Sequence, residues 1–292
     1  MSLHITLIGG DMRYVRLASL LAADRHTVCA YGMDDMPPPP PVRHTGDPSE
    51  ALRGADCVVL PIPMLAEGDA LFTPLSREAL TFPGLLDRLL PGQLVMAGRV
   101  PPSAREQAVR RGIVMVDFLD REDMAVANAV PTAEGAIQIA MEELPITLHG
   151  SRCLIIGFGR IGKVLAGSLA GLGAHVTVSA RKAEDFAWIA ASGYAKTDTR
   201  RLGDGLGQYD AVFNTVPSLI LQRHLLERLK PGCLCVDLAS KPGGVDFAAA
   251  ADLGINCIWA LSLPGKVAPH TSGDIIRTSL YSILEERGVL TP

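Results

Sequence analysis

The stretch from Arg152 to Lys182, RCLIIGFGRIGKVLAGSLAGLGAHVTVSARK, constrains the fold of this chain more tightly than any other. Strand-type residues Arg152 to Ile156 run into Gly157-x-Gly159-x-x-Gly162. A small-residue helix follows to about Leu172, Gly173 stops it, and a second strand runs from His175 to Ala180. Each glycine has a mechanical reason to be there. Gly157 permits a tight turn, Gly159 lets backbone amides approach a pyrophosphate, and Gly162 lets helix and strand pack closely. The start of the helix, Arg160 and Ile161 included, offers unpaired N–H groups and a positive dipole end to phosphate. A glycine turn framed in this way is expected to hold a dinucleotide.

The end of the second strand narrows the expectation. A cofactor with a free ribose 2′-hydroxyl is usually gripped by an Asp or Glu about 20 residues along. Here that place reads Ser179, Ala180, Arg181, Lys182, with no acid before Glu184. A hydroxyl followed by two cations suits a 2′-phosphate, because Arg bonds it bidentately and Lys adds a point charge. The expected cofactor is therefore NADP.

A chain of 292 residues has room for two domains of ordinary size. With a net charge of −4 and no basic tract, it has no electrostatic footprint for nucleic acid. No apolar run reaches the roughly 18 residues a membrane helix needs, and MSLHITLIGG reads as a strand into a turn rather than a signal peptide. A cytoplasmic location is expected. Five of the six cysteines, Cys57, Cys153, Cys233, Cys235 and Cys257, lie in apolar strand-like runs and read as small buried hydrophobes. Cys233-x-Cys235 has neither zinc nor thioredoxin spacing, so no metal is expected.

The first 120 residues alternate strands and helices, which implies a parallel sheet covered on both faces. Its first strand, Leu3 to Gly9, ends in Gly9-Gly10-Asp11-Met12-Arg13-Tyr14. Asp11 stands where a phosphate would want amides, so this turn is not expected to hold a dinucleotide. Asp11 and Arg13 either pair at the helix start or serve a substrate at a strand end, where open α/β sheets place ligands. The segment from Ala125 to Glu143 is expected to connect the domains as a helix, with Thr132 as N-cap, and Thr278 to Arg287 is a last helix. The fold class expected is α/β with two Rossmann-like domains joined by that connecting helix. The first covers residues 1–127 plus a returning C-terminal helix, 274–292. The connector and hinge cover 128–149, and the NADP domain 150–273.

Several longer segments carry a resemblance: Gly9-Gly10-Asp11-x-Arg13-Tyr14, Asn128-x-x-Pro131-Thr132-Ala133-Glu134-Gly135, Leu238-Ala239-Ser240-x-Pro242-Gly243-Gly244-x-Asp246 and Leu261-Ser262-Leu263-Pro264-Gly265-Lys266-x-Ala268-Pro269. With the glycine turn, they make the chain similar to the dipicolinate synthase A-subunit family over nearly its whole length. The Asn-x-x-Pro-Thr-Ala-Glu segment also resembles the connecting helix of S-adenosylhomocysteine hydrolases and D-2-hydroxyacid dehydrogenases. The resemblance implies NADP-linked conversion of 4-hydroxytetrahydrodipicolinate to dipicolinate during sporulation. The partner it implies is the flavoprotein-like B-subunit of dipicolinate synthase. A homo-oligomer is also expected.

Such a reaction removes water and a hydride from a ring bearing two carboxylates, which need cationic anchors. Arg13 and Arg99 follow first-domain strands and are candidate carboxylate anchors; Lys241 and Lys266 follow second-domain strands and face the same expected cleft. Lys241 is placed near the nicotinamide and Lys266 among the substrate ligands. His270, in Ala268-Pro269-His270-Thr271-Ser272-Gly273 before the last helix, looks like the Pro-His-x-x-Gly loop of D-2-hydroxyacid dehydrogenases and is the candidate acid–base; it reads equally as a helix-capping His. With Lys241 and Asp11 it completes the candidate catalytic set. Thr215 and Pro217 of Asn214-Thr215-x-Pro217, and Ser240, are candidate nicotinamide-side contacts. Two other readings stand beside this one: a different NADP enzyme acting on 2-hydroxy acids, and a non-catalytic NADP-binding partner.

Overall fold

The computed structural model describes residues 2–290. The chain divides into two units, with boundaries between Ala127 and Asn128 and between Val267 and Ala268. In the first unit β1 (His4–Ile8), β2 (Thr27–Tyr31), β3 (Arg43–His44), β4 (Cys57–Val59), β5 (Leu94–Ala97) and β6 (Val114–Asp117) form one sheet, ordered β3-β2-β1-β4-β5-β6. Every pairing in it is parallel. Helices α1 (Met12–Ala23), α2 (Pro48–Ala51), α3 (Phe82–Leu86) and α4 (Pro102–Arg110) lie in its crossovers, and α5 (Glu122–Glu143) runs across the unit boundary.

The second unit repeats the plan. Strands β7 (Arg152–Ile156), β8 (His175–Ala180), β9 (Ala195–Asp198), β10 (Ala211–Asn214), β11 (Leu234–Asp237) and β12 (Cys257–Trp259) are ordered β12-β11-β10-β7-β8-β9, again all parallel. Helices α6 (Arg160–Gly171), α7 (Ala183–Ala191), α8 (Arg223–Leu226) and α9 (Phe247–Asp252) lie in its crossovers, and α10 (Leu263–Val267) follows the last strand. Both orders reverse direction beside the first strand of the unit, which places a crevice there at the carboxyl ends of the strands.

The strands read as short apolar runs because both faces of each sheet are covered. One face of the first sheet packs Leu7, Tyr14, Leu17 and Met96, the other Ile8, Val58, Phe82 and Val95. The second sheet does the same with Ile155, Leu165, Phe213 and Val236 on one face and Leu154, Val212, Leu226 and Cys235 on the other. Strands β3 and β9 escape the sequence pattern. Both are polar edge strands with little apolar alternation, Arg43–His44 and Ala195–Asp198.

Two helices differ from expectation. Helix α5 starts at Glu122 and continues through Pro131, so Thr132 is not an N-cap; its hydroxyl bonds back to the Asn128 carbonyl at 2.7 Å. The buried Ala129, Ala133, Ala136 and Ala140 keep the helix packed across the proline. The last helix, α11 (Pro269–Glu286), begins at Pro269 rather than near Thr278, with proline in its favoured first-turn position. It belongs to the first unit, burying Ile276, Leu280, Ile283 and Leu284 beside Leu17 and Leu21 of α1. Gly273 makes that approach possible: a Cβ there would stand 2.8 Å from Arg16 Cγ and 2.9 Å from the Arg13 carbonyl. Among the described residues no helix is long and apolar enough to cross a membrane.

Candidate active site

The glycine turn of the second unit sits between the ends of β7 and α6. Gly157 has φ +98°, a conformation few side chains tolerate, and a Cβ there would lie 2.6 Å from Thr215 Oγ1. Gly162 is packed on the turn itself: its Cβ would lie 2.2 Å from the Gly157 carbonyl oxygen. Gly159 is the opposite case, with nothing within 4 Å of a Cβ position. It is the N-cap of α6, and no side chain caps that helix. No side chain therefore covers the start of α6, which opens on clear space at the positive end of a 12-residue helix. This cradle fits a pyrophosphate.

At the end of β8, Ser179 is fully buried and its hydroxyl lies 3.1 Å from Thr199 Oγ1. This corrects the expectation that Ser179 offers a hydroxyl to a ribose phosphate, because that hydroxyl is already paired inside the fold. Arg181 is exposed and has no side-chain partner among the described residues. Lys182 is the N-cap of α7 and pairs with Glu184 at 3.2 Å, both side chains about 70% exposed, so water screens the pair. The register Ala180↔Asp198 also brings the residues after β9 beside those after β8. Arg200 and Arg201 thereby join the same edge, which the sequence reading missed because β9 itself was missed. Arg200 is bonded to Asp198 and holds that carboxylate at about 2.

Thr215 follows β10 and donates its hydroxyl to the Ile156 carbonyl at 2.9 Å, pinning the end of β10 to the end of β7. Pro217 is exposed just beyond it. Ser240 and Lys241 are exposed after β11, and Lys266 is exposed on α10. None of these three side chains has a partner among the described residues. Ser262, just before α10, is held at φ +60°, a left-handed conformation rare outside glycine. The sequence carries no signal for that strain.

The first unit arranges its counterpart turn quite differently. Asp11 caps α1 by accepting the Arg13 amide at 3.1 Å, and its two carboxylate oxygens take Arg13 Nε and Nη2 at 2.8 Å each. Arg13 Nη2 also donates to the Ile62 carbonyl at 2.6 Å. The guanidinium is buried; burial alone would lower its pKa, but the hydrogen bonds and charge of Asp11 outweigh that and raise it. Two assignments are corrected here. Arg13 is not a carboxylate anchor, because its side-on fork is taken by Asp11. Asp11 is not a catalytic group, because both of its oxygens hold Arg13.

Arg99 stands on the same edge. Its turn touches the Ile62 turn directly: a Cβ on Gly98 would lie 2.3 Å from Ile62 Cγ1, and Met64 N donates to the Gly98 carbonyl at 2.8 Å. Buried Asp117 fixes the backbone by accepting the amides of Arg99 at 3.1 Å and Val100 at 2.6 Å. Arg99 has φ +59°, and its side chain is exposed with no partner among the described residues. A non-glycine residue held in that conformation at a strand end marks a functional position more often than chance. His270 is exposed in the first turn of α11, inside the helix rather than ahead of it.

Residues 4–119 match the N-terminal domain of the dipicolinate synthase A-subunit, and residues 125–240 match the NAD binding domain of D-isomer specific 2-hydroxyacid dehydrogenase. The dipicolinate synthase A-subunit of Bacillus subtilis (strain 168) is 32% identical over 298 residues, covering 97% of this chain and 96% of the relative. The chain belongs to the dipicolinate synthase A-subunit family. The crystal structure of the family member from Bacillus halodurans superposes with a TM-score of 0.90 at 30% identity, covering 96% of this chain and 97% of that one. A transhydrogenase from Sinorhizobium meliloti, 16% identical, aligns at a TM-score of 0.71 over 97% of this chain and 94% of its own, a likeness of fold alone. The dehydrogenase-type domain that holds the uncapped α6 cradle supports a nicotinamide cofactor and an oxidoreductase.

Proposed function

We propose that this chain is the NADP-linked oxidoreductase component that converts 4-hydroxytetrahydrodipicolinate to dipicolinate during sporulation, working with the flavoprotein-like B-subunit of dipicolinate synthase. The observation that carries the cofactor half is the pairing of an uncapped α6 turn with an unpartnered Arg181 where a 2′-hydroxyl cofactor would need a carboxylate. The family membership carries the substrate half.

When bound, oxidised nicotinamide accepts a hydride from the ring, and the residues of this chain do the rest. The α6 amides bind the pyrophosphate, while Arg181 and Lys182 hold the 2′-phosphate. Arg99 and Lys266, exposed and free of internal partners, bind ring carboxylates. Ser240 and Lys241 orient the nicotinamide side, and His270 passes a ring proton to the departing hydroxyl, which leaves as water, and takes up the ring proton lost alongside the hydride. Arg99, Lys241 and Lys266 are spare cations, whereas Arg13 is spent on Asp11.

The test is a titration of the purified chain with NADPH and NADH, followed by turnover with the hydroxylated ring dicarboxylate and the B-subunit. The proposal expects tighter NADPH binding and NADPH formation from NADP and substrate. Equal affinity for both cofactors would remove the 2′-phosphate assignment. Tight binding with no turnover when substrate and the second protein are both present would leave a non-catalytic binding partner instead.

A further inference from the structure

The ends of β10 and β11 carry a polar pair that the reaction above does not use. Asn214 and Asp237 are register partners, each the last residue of its strand, and both are fully buried. Asn214 Nδ2 donates to Asp237 Oδ1 at 2.8 Å. The same oxygen accepts the Ala239 amide at 3.1 Å, and Oδ2 accepts the Gly244 amide at 2.7 Å. No Lys or Arg forms an ion pair with Asp237 among the described residues. A buried carboxylate without a cation is costly unless its oxygens are filled with donors, and here three N–H groups fill them. An Asn in its place would have one acceptor oxygen for those three donors.

What the carboxylate holds is a loop. Its two amide bonds clamp both ends of residues 239–244, and the loop lies directly on the pair. A Cβ on Gly243, which has φ +85°, would stand 2.9 Å from Asp237 Oδ2; one on Gly244 would stand 2.1 Å from Asn214 Nδ2. Trp259 Nε1 closes the far side by donating to the Ala239 carbonyl at 3.0 Å. The exposed residues left at the tip are Ser240, Lys241 and Pro242. Asn214 serves the neighbouring loop as well, bonding both the amide and the carbonyl of Val216 at 3.2 and 3.0 Å.

We infer that the Asn214–Asp237 pair is the positioning element that fixes Ser240 and Lys241 toward the nicotinamide, an inference that rests on the reading of the second unit as an NADP site. Asp237 acts through the loop and touches no substrate atom. In Asp237→Asn the amide oxygen keeps two donors, while its NH2 meets the Gly244 amide donor to donor, so the loop is released at one end with the strands intact.

The experiment uses the full chain and NADPH as probe. Asp237→Asn is expected to speed amide exchange in residues 239–244 by about tenfold, with β7 and β10 unchanged. NADPH affinity should stay within about threefold, since the phosphates rest elsewhere, while the change in nicotinamide fluorescence on binding is lost. If Asp237→Asn does not fold, Gly243→Ala presses on the same carboxylate from the loop side and should give the same pair of changes. Unchanged exchange, or a normal fluorescence change from a loosened loop, overturns the inference. Affinity and fluorescence falling together with strand protection would show a purely structural role and overturn it too. Wild-type protein that takes up no NADPH would remove the cofactor reading and the nicotinamide half of this one, while the exchange result would still report whether the clamp exists.

Discussion

Gly159 and Gly162 differ by three residues and by the kind of space around them, and this makes a paired substitution informative. In Gly162→Ala the new methyl would start 2.2 Å from the Gly157 carbonyl oxygen, which is backbone and cannot rotate away. Normal contact requires the start of α6 to retreat by about 1 Å. Overpacking of that kind costs about 1–3 kcal/mol, partly offset by the better helix propensity of Ala, worth about 1 kcal/mol. The larger effect falls on the ligand. An N–H···O bond near 2.9 Å is lost by about 3.6 Å, so the retreat removes amide bonds to the pyrophosphate. Losing two bonds to a charged group, at about 1.5–3 kcal/mol each, weakens NADPH binding roughly 10²- to 10⁴-fold.

Gly159→Ala has no such clash, since nothing lies within 4 Å and the residue sits at φ −80°. Its stability should stay within about 0.5 kcal/mol of wild type. The methyl nonetheless enters the space a pyrophosphate needs, so NADPH affinity should still fall by at least about tenfold. Thermal unfolding of the apo proteins and fluorescence titration with NADPH separate the two effects. Wild-type affinity in Gly159→Ala would refute the claim that phosphate rests on this turn. So would a Gly162→Ala protein that loses stability and binds NADPH normally.

Arg181→Glu should weaken NADPH by roughly 10- to 100-fold, the loss of one charge-assisted bond of about 1.5–3 kcal/mol, and leave NADH within about threefold; parallel titrations decide it, and equal losses would contradict the 2′-phosphate role. Cys57, Cys153, Cys233 and Cys235 are buried, with the Cys57 and Cys233 thiols pushed up to about 12, whereas Cys29 and Cys257 are half-buried. Burial also raises Cys29, so a thiol reagent at pH 8 should label native protein at Cys257 first and Cys29 more slowly, and all six cysteines only after denaturation. Fast native labelling of Cys57 would contradict the packing of β4. Leu280→Ala removes a side chain that is 1% exposed between α11 and the first sheet, and should destabilise the protein by about 2–5 kcal/mol in denaturant unfolding while NADPH affinity per folded molecule is unchanged.

What could be read from the sequence is what is local. The glycine turn, the strands flanking it and the absence of an acid before Glu184 all lie within about 30 consecutive residues, at the length of one βαβ unit. The Asp11–Arg13 pair is local and stood in the sequence as one of two readings, but the other satisfied groups could not be read, because their partners lie across crossovers. Arg13 is matched in part by a carbonyl at Ile62, Ser179 by Thr199, and Asn214 by Asp237. Each of those residues looked available in the sequence, and only folding shows which polar groups are already paired. Sequence reasoning therefore left Asp11 and Arg13 open between pairing and a substrate role, took the Ser179 hydroxyl as available, and passed over the contact between Asn214 and Asp237.

The two units make this a controlled comparison within one chain. Both have the same strand order and a glycine turn leading from their first strand into a 12-residue helix. In the first, Asp11 caps the helix and the Phe72 carbonyl takes the Gly10 amide at 3.0 Å, so the donors and the positive end are already satisfied. In the second, the cap is Gly159, which has no side chain to fold over the amides. Topology alone would give both units a dinucleotide site; the cap residue together with the groups packed around the turn, here Arg13 and the Phe72 carbonyl, decides which one can use it. By the same reasoning, Asp11→Gly should not convert the first turn into a second NADPH site. Arg13, buried beside the turn, would lose its partner, and the expected result is a destabilised protein that still binds one NADPH per chain. Calorimetric titration giving two equivalents would show that the cap alone had been holding the second site shut.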